Sequence, residues 1–363
     1  MSGSGPTGRD VAEPNERQWW RLLRGPRALL WGPFLAQMVV TRRCNIDCGY
    51  CNEYDKTSAP VPLERLKQQV DHLAALSCAV MEFTGGETLL HPDILPLIAH
   101  ASKGPFYERW IISNGYLLSP AIVDGLNDAG LTNLQISIDG LTPNATTVKV
   151  LKPLRKKLDM LASRARFRVQ VNAVLGAANG DEVLEVARTA RELGFIARVS
   201  VIHDDHGAMS LDAKGRALLA ELHETVGQKW EESGNYRHRL MTEGSAPFHC
   251  RAGSRYLYID EHGLVNWCSQ QRGVFTKPFL EYGWADLKEQ FYTVKDCAPT
   301  CTVGCVRTAS RFDEWREQPL RPEVVHRAPA RNEGELIPAS ALLQRQPEKR
   351  KRSQMDWRRE RTG

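Results

Sequence analysis

The chain contains no uninterrupted apolar run of about 18 residues, the length that a membrane-spanning helix requires. Its first sixteen residues, MSGSGPTGRDVAEPNE, lack the basic stretch followed by an apolar stretch that marks a secretory signal. No internal repeat or low-complexity tract is present apart from a basic tail. These absences argue against a membrane-spanning or secreted protein, and we expect a cytoplasmic one.

The body of the chain also carries little net charge. The formal net charge is +5, and residues 341–363 contain eight basic and three acidic residues, which accounts for the whole excess. A near-neutral body argues against a catalytic domain built to bind nucleic acid. We predict that the tail is disordered. The alternatives are contact with nucleic acid, with an anionic membrane or with an acidic partner, and Trp357 among the arginines is compatible with base stacking.

Nine cysteines occur among 363 residues, enough for several disulfides. In the reducing compartment expected here, clustered cysteines indicate metal binding instead. Cys44, Cys48 and Cys51 form a C-x3-C-x2-C run, and closely spaced thiolates of this kind hold iron–sulfur clusters. The run has no fourth cysteine, so one iron would keep an open position, as catalytic metal sites do. The alternative is a zinc site completed by a distant ligand such as a histidine.

Alternating strands and helices follow from residue 35 onward. Apolar or alternating segments predict strands at 35–41, 79–83, 109–114, 132–138, 165–176 and 196–202. Helical segments lie between or after them, including 62–77, 118–129, 147–163, 181–193 and 211–229. Six successive β-then-α units predict an α/β fold with a parallel sheet wound in one hand. Six units are fewer than the eight of a complete TIM barrel.

The cysteine run, with Tyr50 between its second and third cysteines, resembles the signature of the radical S-adenosylmethionine (SAM) superfamily. The resemblance implies a partial (βα)6 TIM-type barrel and a [4Fe–4S] cluster whose open iron is chelated by the amino and carboxylate groups of SAM. It further implies reductive cleavage of SAM to methionine and a 5′-deoxyadenosyl radical. The electron would come from a reductase such as flavodoxin or ferredoxin.

Polar residues at the carboxyl ends of the predicted strands are the candidate SAM-binding groups, because β/α barrels gather their active sites at those ends. Gly85-Gly86-Glu87 follows the second strand and resembles the motif that binds the SAM amino group in the family; the glycines would let the backbone approach the ligand. By the same resemblance, the region of Ser137 and Asp139 contacts the ribose and the methionyl carboxylate. The remaining candidates are Tyr50, Asn114, Asn172, Arg198 and Ser200.

Two of these features have competing interpretations. Asn114-Gly115 is as well explained by a simple turn as by a site role. The run His203-Asp204-Asp205-His206 suggests a metal site, but four adjacent residues seldom converge on one ion, so a loop or substrate role is favoured.

A second group of cysteines lies near the C-terminal end of the body. Residues 255–268 predict a β-hairpin with its turn near Glu261-His262-Gly263. The spacing resembles the opening of the SPASM and twitch extensions, which bind auxiliary iron–sulfur clusters. The five cysteines here, against seven in a full SPASM domain, favour one auxiliary [4Fe–4S] cluster, with a structural zinc site as the alternative. The candidate ligands are Cys250, Cys268 and Cys297, with either Cys301 or Cys305 as the fourth.

The ninth cysteine, Cys78, follows an apolar helix and is predicted to be a buried core residue. The boundaries that follow from these patterns are an N-terminal extension at 1–34, a barrel at 35–230, an auxiliary cluster domain at 240–310 and a tail at 311–363. Within the extension, 17–34 is predicted to form a short helix or arm packed on the barrel, or else an interfacial membrane or substrate contact.

The first functional hypothesis is an oxidoreductase-type radical enzyme that modifies a peptide or protein side chain. This rests on analogy with enzymes that carry auxiliary clusters. The alternatives are dehydrogenation or rearrangement of a small metabolite, RNA modification, and a non-enzymatic electron carrier. The sequence identifies no catalytic residue and no substrate.

Overall fold

A computed structural model describes residues 25–203, 236–314 and 325–326. The predicted helix at 211–229, the residues Asp204, Asp205 and His206, and nearly all of the basic tail lie outside the described residues. Within the described ranges no helix is both long and apolar enough to cross a membrane.

A nine-stranded sheet forms the centre of the molecule. Its spatial order is β6-β5-β4-β3-β2-β1-β7-β8-β9, and β1 to β7 run parallel while the last two pairs are antiparallel. The strands are β1 Leu35–Thr41, β2 Val80–Gly85, β3 Glu108–Ser113, β4 Asn133–Ser137, β5 Arg168–Leu175, β6 Ile196–Val201, β7 Tyr256–Ile259, β8 Leu264–Asn266 and β9 Lys277–Pro278. A separate parallel pair joins β10 Val294–Lys295 to β11 Val325–His326.

The described helices include those that connect successive parallel strands and cover one face of the sheet. They are α1 Pro26–Trp31, α2 Leu63–Ala75, α3 Ile94–Ala101, α4 Pro120–Asp128, α5 Leu151–Arg164, α6 Gly180–Glu192, α7 Tyr236–Thr242, α8 Trp284–Tyr292 and α9 Gly304–Arg311. Local chemistry explains their starts: the Ser119 and Asn179 side chains accept hydrogen bonds from the backbone of α4 and α6. Of the predicted helix or arm at 17–34, residues 17–24 lie outside the described residues, and residues 26–31 form α1, which packs against α8.

Successive residues of β1 to β6 lie on opposite faces of the sheet, because side chains alternate along a strand. The outward residues, such as Met38, Phe83 and Leu134, are fully buried beneath the helices. The inward residues include the polar side chains Gln37, Glu82, Gln135, Gln170 and Arg198. Strand β6 does not pair back to β1, so the sheet is an open, partial barrel with a polar concave face, and the predicted fold class is confirmed.

The chain returns to this sheet after the barrel. Strand β7 pairs in parallel with β1, and β8 folds back on β7 through a turn in which Gly263 has a φ of 72°. The left-handed conformation suits glycine at that position. The predicted hairpin is therefore confirmed, and it continues the barrel sheet rather than forming a separate one.

A buried ion pair ties the two ends of the described chain to the hairpin. The Arg255 guanidinium donates to both oxygens of Asp313, at 2.7 and 2.9 Å, and the two side chains are 3% and 1% exposed. The same group donates to carbonyl oxygens at the end of α1, including that of Gly32 at 2.7 Å. One side chain thus fixes the N-terminal helix and the segment after α9 to the start of β7.

We expect Asp313→Ala to lower the free energy of unfolding by about 3–5 kcal/mol, because it leaves the Arg255 charge buried without its partner. Chemical denaturation of the variant and the wild type measures the difference. Asp159→Ala is the control, since Asp159 forms a half-exposed pair with Arg155 and should cost well under about 1 kcal/mol. A loss no larger than that of the control would show that the buried pair is not a main support of the fold.

Candidate functional site

The first three cysteines lie on the loop that joins β1 to α2, at the carboxyl edge of the sheet. Backbone hydrogen bonds close the loop: Cys44 N donates to Asp55 O at 3.0 Å, and Asp55 N donates to Arg42 O at 2.8 Å. Cys48 is 4% exposed, whereas Cys44 and Cys51 are half-buried. The loop therefore brings three thiols to one region that remains partly open.

These thiols have the chemistry of metal ligands. None of the nine cysteines forms a disulfide. In the part of the chain that the structure describes, no group of three or more His, Cys, Asp or Glu side chains converges closely enough to hold one metal ion. Burial raises the pKa of Cys44 to about 11 and also raises that of Cys51, and metal ligation would remove those protons.

Gly85 and Gly86 bring the end of β2 against the start of this loop. Gly86 N donates to Thr41 O at 2.8 Å, and Glu87 N donates to Arg43 O at 2.9 Å. A β-carbon on Gly86 would lie 2.5 Å from the Arg43 carbonyl oxygen and closer still to that of Arg42. Gly85 has a φ of 150° and no room for a β-carbon beside Thr41. In this structure the glycines allow two backbone segments to approach each other, where the sequence suggested approach to a ligand.

Glu87 is fully buried, and its carboxylate accepts three hydrogen bonds from the protein. The donors are Leu89 N at 3.0 Å, the Ser113 hydroxyl at 2.8 Å and Asn114 N at 2.7 Å. Burial raises the pKa of Glu87, and these donors act in the opposite direction. The predicted contact of Glu87 with the SAM amino group stays a prediction; the contacts present show that Glu87 fixes the end of β3.

Asn114 links that strand end to the cysteine loop. Its Nδ2 donates to Asn45 Oδ1 at 2.7 Å and lies 3.9 Å from Cys44 Sγ. Its Oδ1 accepts from Tyr116 N at 3.0 Å, so the side chain also shapes the turn that follows β3. Asn114 therefore both stabilises a turn and contacts the cysteine loop.

Asp139 is the centre of a second buried network beneath the loop. Its Oδ2 accepts from the Tyr50 hydroxyl at 2.9 Å and from the Thr147 hydroxyl at 2.6 Å. Its Oδ1 accepts from Val174 N at 3.2 Å. The Lys149 ammonium donates to the Tyr50 hydroxyl at 2.7 Å. Tyr50 and Asp139, which the sequence placed in one site, are thus in direct contact.

Lys149 and Thr147 are site residues that the sequence did not reveal. Burial lowers the pKa of Lys149, but the attraction of Tyr50, Asp139, Cys48 and Cys51 outweighs it and raises the pKa well above its usual value. Thr147 Oγ1 also lies 4.0 Å from Cys48 Sγ. Neither residue belongs to a motif or follows a strand directly, so no local signal marked them.

The other predicted residues line the concave face of the sheet. Ser200 Oγ donates to Asn172 Oδ1 at 2.9 Å, and Arg198 Nε donates to Gln170 Oε1 at 2.7 Å. Burial and the nearby Arg237 lower the pKa of Arg198. Ser137 lies between them and the loop, paired in register with Asn172. These side chains lie on the concave face of the sheet.

Glu82 lies on the same concave face, on β2. Its Oε1 accepts from Gln37 Nε2, and Gln37 Oε1 accepts from the Tyr256 hydroxyl. Burial raises the pKa of Glu82 to about 7, against the opposing effect of the Gln37 hydrogen bond. The concave face therefore carries a carboxyl group that titrates near neutrality, which the sequence did not single out.

The second group of cysteines lies between the hairpin and α9. Burial raises the pKa of Cys268 well above its usual value, and charge repulsion from Cys301, Cys250 and Cys297 raises it further. Burial, together with charge repulsion from Cys250 and Cys297, raises the pKa of Cys301 to about 12. Four of the five predicted cysteines thus lie within electrostatic reach of one another.

Cys305 packs against the cluster of buried residues that includes Cys250 and Cys268, and it also lies beside Tyr256 and Glu82. Burial and Glu82 raise its pKa to about 12, against the opposing effect of a hydrogen bond with Tyr256. Both neighbours lie on the concave face of the sheet. Cys78 is 1% exposed and lies in the main core, as its position after α2 predicted.

Comparison with known proteins gives the same family as the residues. The model of the radical SAM superfamily matches residues 38–204. The GTP 3′,8-cyclase of Pseudomonas putida is 32% identical over 256 residues, which is 65% of this chain and 74% of that enzyme. The PqqA peptide cyclase of Bradyrhizobium diazoefficiens is 26% identical over 64% of this chain and 60% of that enzyme.

Other matches extend over less of their own length. The AdoMet-dependent heme synthase of Methanosarcina barkeri is 26% identical over 185 residues, so this chain matches 50% of the length of that relative. Among solved structures, Streptococcus suis SuiB bound to the precursor peptide SuiA superposes with a TM-score of 0.56 at 14% identity, over 73% of this chain and 66% of SuiB. At that identity the likeness to SuiB shows the fold.

We expect Gly86→Ala to remove the cluster held by the first three cysteines, because the added methyl group displaces the backbone of residues 42–43. Iron and acid-labile sulfide per chain, measured after anaerobic reconstitution, should fall by one cluster. Gly283→Ala is the control: a β-carbon there meets nothing within 4 Å, and its φ is −125°. Full iron content in the Gly86→Ala protein would contradict the steric argument.

Proposed function

The chain belongs to the radical SAM superfamily, and from that premise we propose that Cys44, Cys48 and Cys51 hold the [4Fe–4S] cluster at which SAM binds. The protein is an enzyme whose cofactors are this type of cluster and SAM. The observation that carries the residue assignment is the loop itself, which holds three thiols at the carboxyl edge of the sheet, beside the polar strand ends. When bound, the two cofactors supply a 5′-deoxyadenosyl radical that abstracts hydrogen from carbon.

The contribution of the chain is to fix and surround that chemistry. Glu87 holds Asn114 against Cys44, and Asp139 holds Tyr50 between the second and third cysteines. Ser137, Asn172, Arg198 and Ser200 line the adjacent concave face and are the proposed contacts for SAM and substrate. This arrangement supports the residue set expected from the sequence. The support is weakest for a contact between the Glu87 carboxylate and SAM, because that carboxylate accepts three hydrogen bonds from the protein.

An auxiliary cluster bound by Cys250, Cys268, Cys297 and Cys301 is the second part of the proposal. The mutual electrostatic effects of these four thiols support it, and the Cys305 thiol is engaged by a hydrogen bond with Tyr256. We therefore choose Cys301 over Cys305 as the fourth ligand. The proposed domain boundaries are unchanged, with residues 240–310 carrying this cluster on the side of the barrel next to β1.

A peptide or protein side chain is the proposed substrate. SuiB is described as bound to a precursor peptide, and the PqqA enzyme is named a peptide cyclase. The concave face offers amide and carboxyl groups on Gln37, Glu82, Gln135 and Gln170, which can pair with peptide groups. The GTP 3′,8-cyclase match favours a second candidate, a small nucleotide-like molecule. An oxidoreductase reaction, a cytoplasmic location and a flavodoxin or ferredoxin as reductase complete the proposal.

The central prediction is that the reconstituted protein cleaves SAM. Under anaerobic conditions, with dithionite as reductant, we expect 5′-deoxyadenosine to form, and mass spectrometry quantifies it. Cys48→Ala should form none, since it removes one of the three proposed ligands. A wild-type protein that contains reduced cluster and forms no 5′-deoxyadenosine, with or without candidate peptides, would refute the proposed function.

The choice of auxiliary ligand has its own test in two matched variants. In Cys301→Ala the iron content per chain should fall by the amount of one cluster, whereas Cys305→Ala should keep the wild-type iron content. The two residues are four positions apart, so general damage to this segment would affect both. Loss of iron in Cys305→Ala alone would reverse the assignment.

A further inference from the structure

Lys149 lies in the segment between β4 and α5 and extends beneath the cysteine loop. Its Nζ donates to the Tyr50 hydroxyl at 2.7 Å and lies 4.8 Å from the centre of the Tyr50 ring. The Tyr50 hydroxyl has one proton, which it donates to Asp139 at 2.9 Å. Lysine, tyrosine and aspartate therefore form one chain of hydrogen bonds with a defined direction.

The backbone of Lys149 is held on both sides. Its N–H donates to Thr147 Oγ1 at 3.1 Å, and its carbonyl oxygen accepts from Asp139 N at 2.8 Å. Thr147 Oγ1 in turn donates to Asp139 Oδ2 at 2.6 Å. Because the anchors of the main chain and of the ammonium belong to the same network, the positive charge has a fixed position.

Negative groups surround that charge. Cys48, Cys51 and Asp139 lie within electrostatic reach of Lys149, and so does Glu87. The other nearby lysine, Lys56, is exposed and donates to the backbone carbonyls of Cys44 and Ile46 at the outside of the loop. Lys149 is half-buried, and water and salt screen an exposed charge more than a partly buried one, so we expect Lys149 to act on the thiolates more strongly than Lys56 does.

We propose that Lys149 is a positioning residue that sets the reduction potential of the cluster held by Cys44, Cys48 and Cys51. Reduction adds one negative charge to the cluster, and a fixed cation beside two of its three ligands stabilises the reduced form more than the oxidised form. Net charge around a cluster is one of the factors that determine its potential. The inference rests on the proposed assignment of these three ligands.

The test is a redox titration of the anaerobically reconstituted full-length protein, followed by electron paramagnetic resonance. The signal of the relevant cluster is identified as the one that changes shape when SAM is added. We expect Lys149→Met to make reduction at least tenfold less favourable, a shift of about 59 mV to lower potential for one electron. Lys149→Gln should act in the same direction.

Two matched controls separate the fixed charge from other effects. Lys149→Arg keeps the charge and should stay much closer to the wild-type potential than the neutral variants. Lys56→Met removes an exposed charge from the same loop and should shift the potential by much less than Lys149→Met. A merely structural role for Lys149 would change the amount of cluster without moving its potential.

The possible outcomes distinguish failure of the inference about Lys149 from failure of the proposed function. Equal potentials in the wild type and the neutral Lys149 variants would overturn the inference, with the function itself untouched. If neither neutral variant assembles the cluster, Lys149 is needed for assembly rather than for tuning, and the inference is also overturned. A wild-type protein without a SAM-responsive cluster would instead refute the proposed function.

Discussion

The close approach of Gly85 and Gly86 to residues 41–43 is the constraint on which the candidate site depends. Strands β1 and β2 pair in regular parallel register until Val39, and the register then shifts so that Thr41 pairs with Gly85. At this irregularity the chain leaves the sheet to form the cysteine loop. Only residues without a β-carbon leave room for the two backbone hydrogen bonds that fix the loop. The positions of the cysteines follow from that contact.

Much of the barrel was predictable because the outward faces of its strands are predominantly apolar, with Arg109 of β3 as an exception. The predicted segment 35–41 matches β1, and the predicted segment at 109–114 differs from β3 by one residue at each end. Helix α3 was not predicted: its sequence ILPLIAHA is short and almost wholly apolar, so no polar face sets off its buried face, and its proline lies in the first turn, where proline is tolerated. The pairing of Leu35 with Tyr256, which extends the barrel sheet into the hairpin, joins residues too distant for any local pattern to reveal.

The same distinction between local patterns and long-range contacts applies to the candidate site. The motif residues could be predicted because they directly follow strands, whereas their contacts within the protein could not: the glycines accommodate backbone, and the Glu87 carboxylate accepts hydrogen bonds from three protein donors. Lys149 and Thr147 were not found, since each acts through a contact with a residue about a hundred positions earlier, Tyr50 or Cys48. A motif reveals residues that share one loop, but it does not reveal the side chains that a second loop places beneath it.

In both groups of cysteines, burial opposes the formation of thiolates, and basic side chains lie beside the thiols. Burial raises the pKa of most of these thiols, whereas metal ligation requires thiolates. Lys149 lies beside Cys48 and Cys51; Lys295, Arg307 and Arg251 lie beside Cys250 and lower its pKa against the effect of burial. Lys295 and Arg307 are themselves fixed by hydrogen bonds to backbone carbonyls. A cation held in place reduces the cost of forming a buried anionic centre, so the basic side chains beside each group belong to the proposed metal sites as much as the cysteines do.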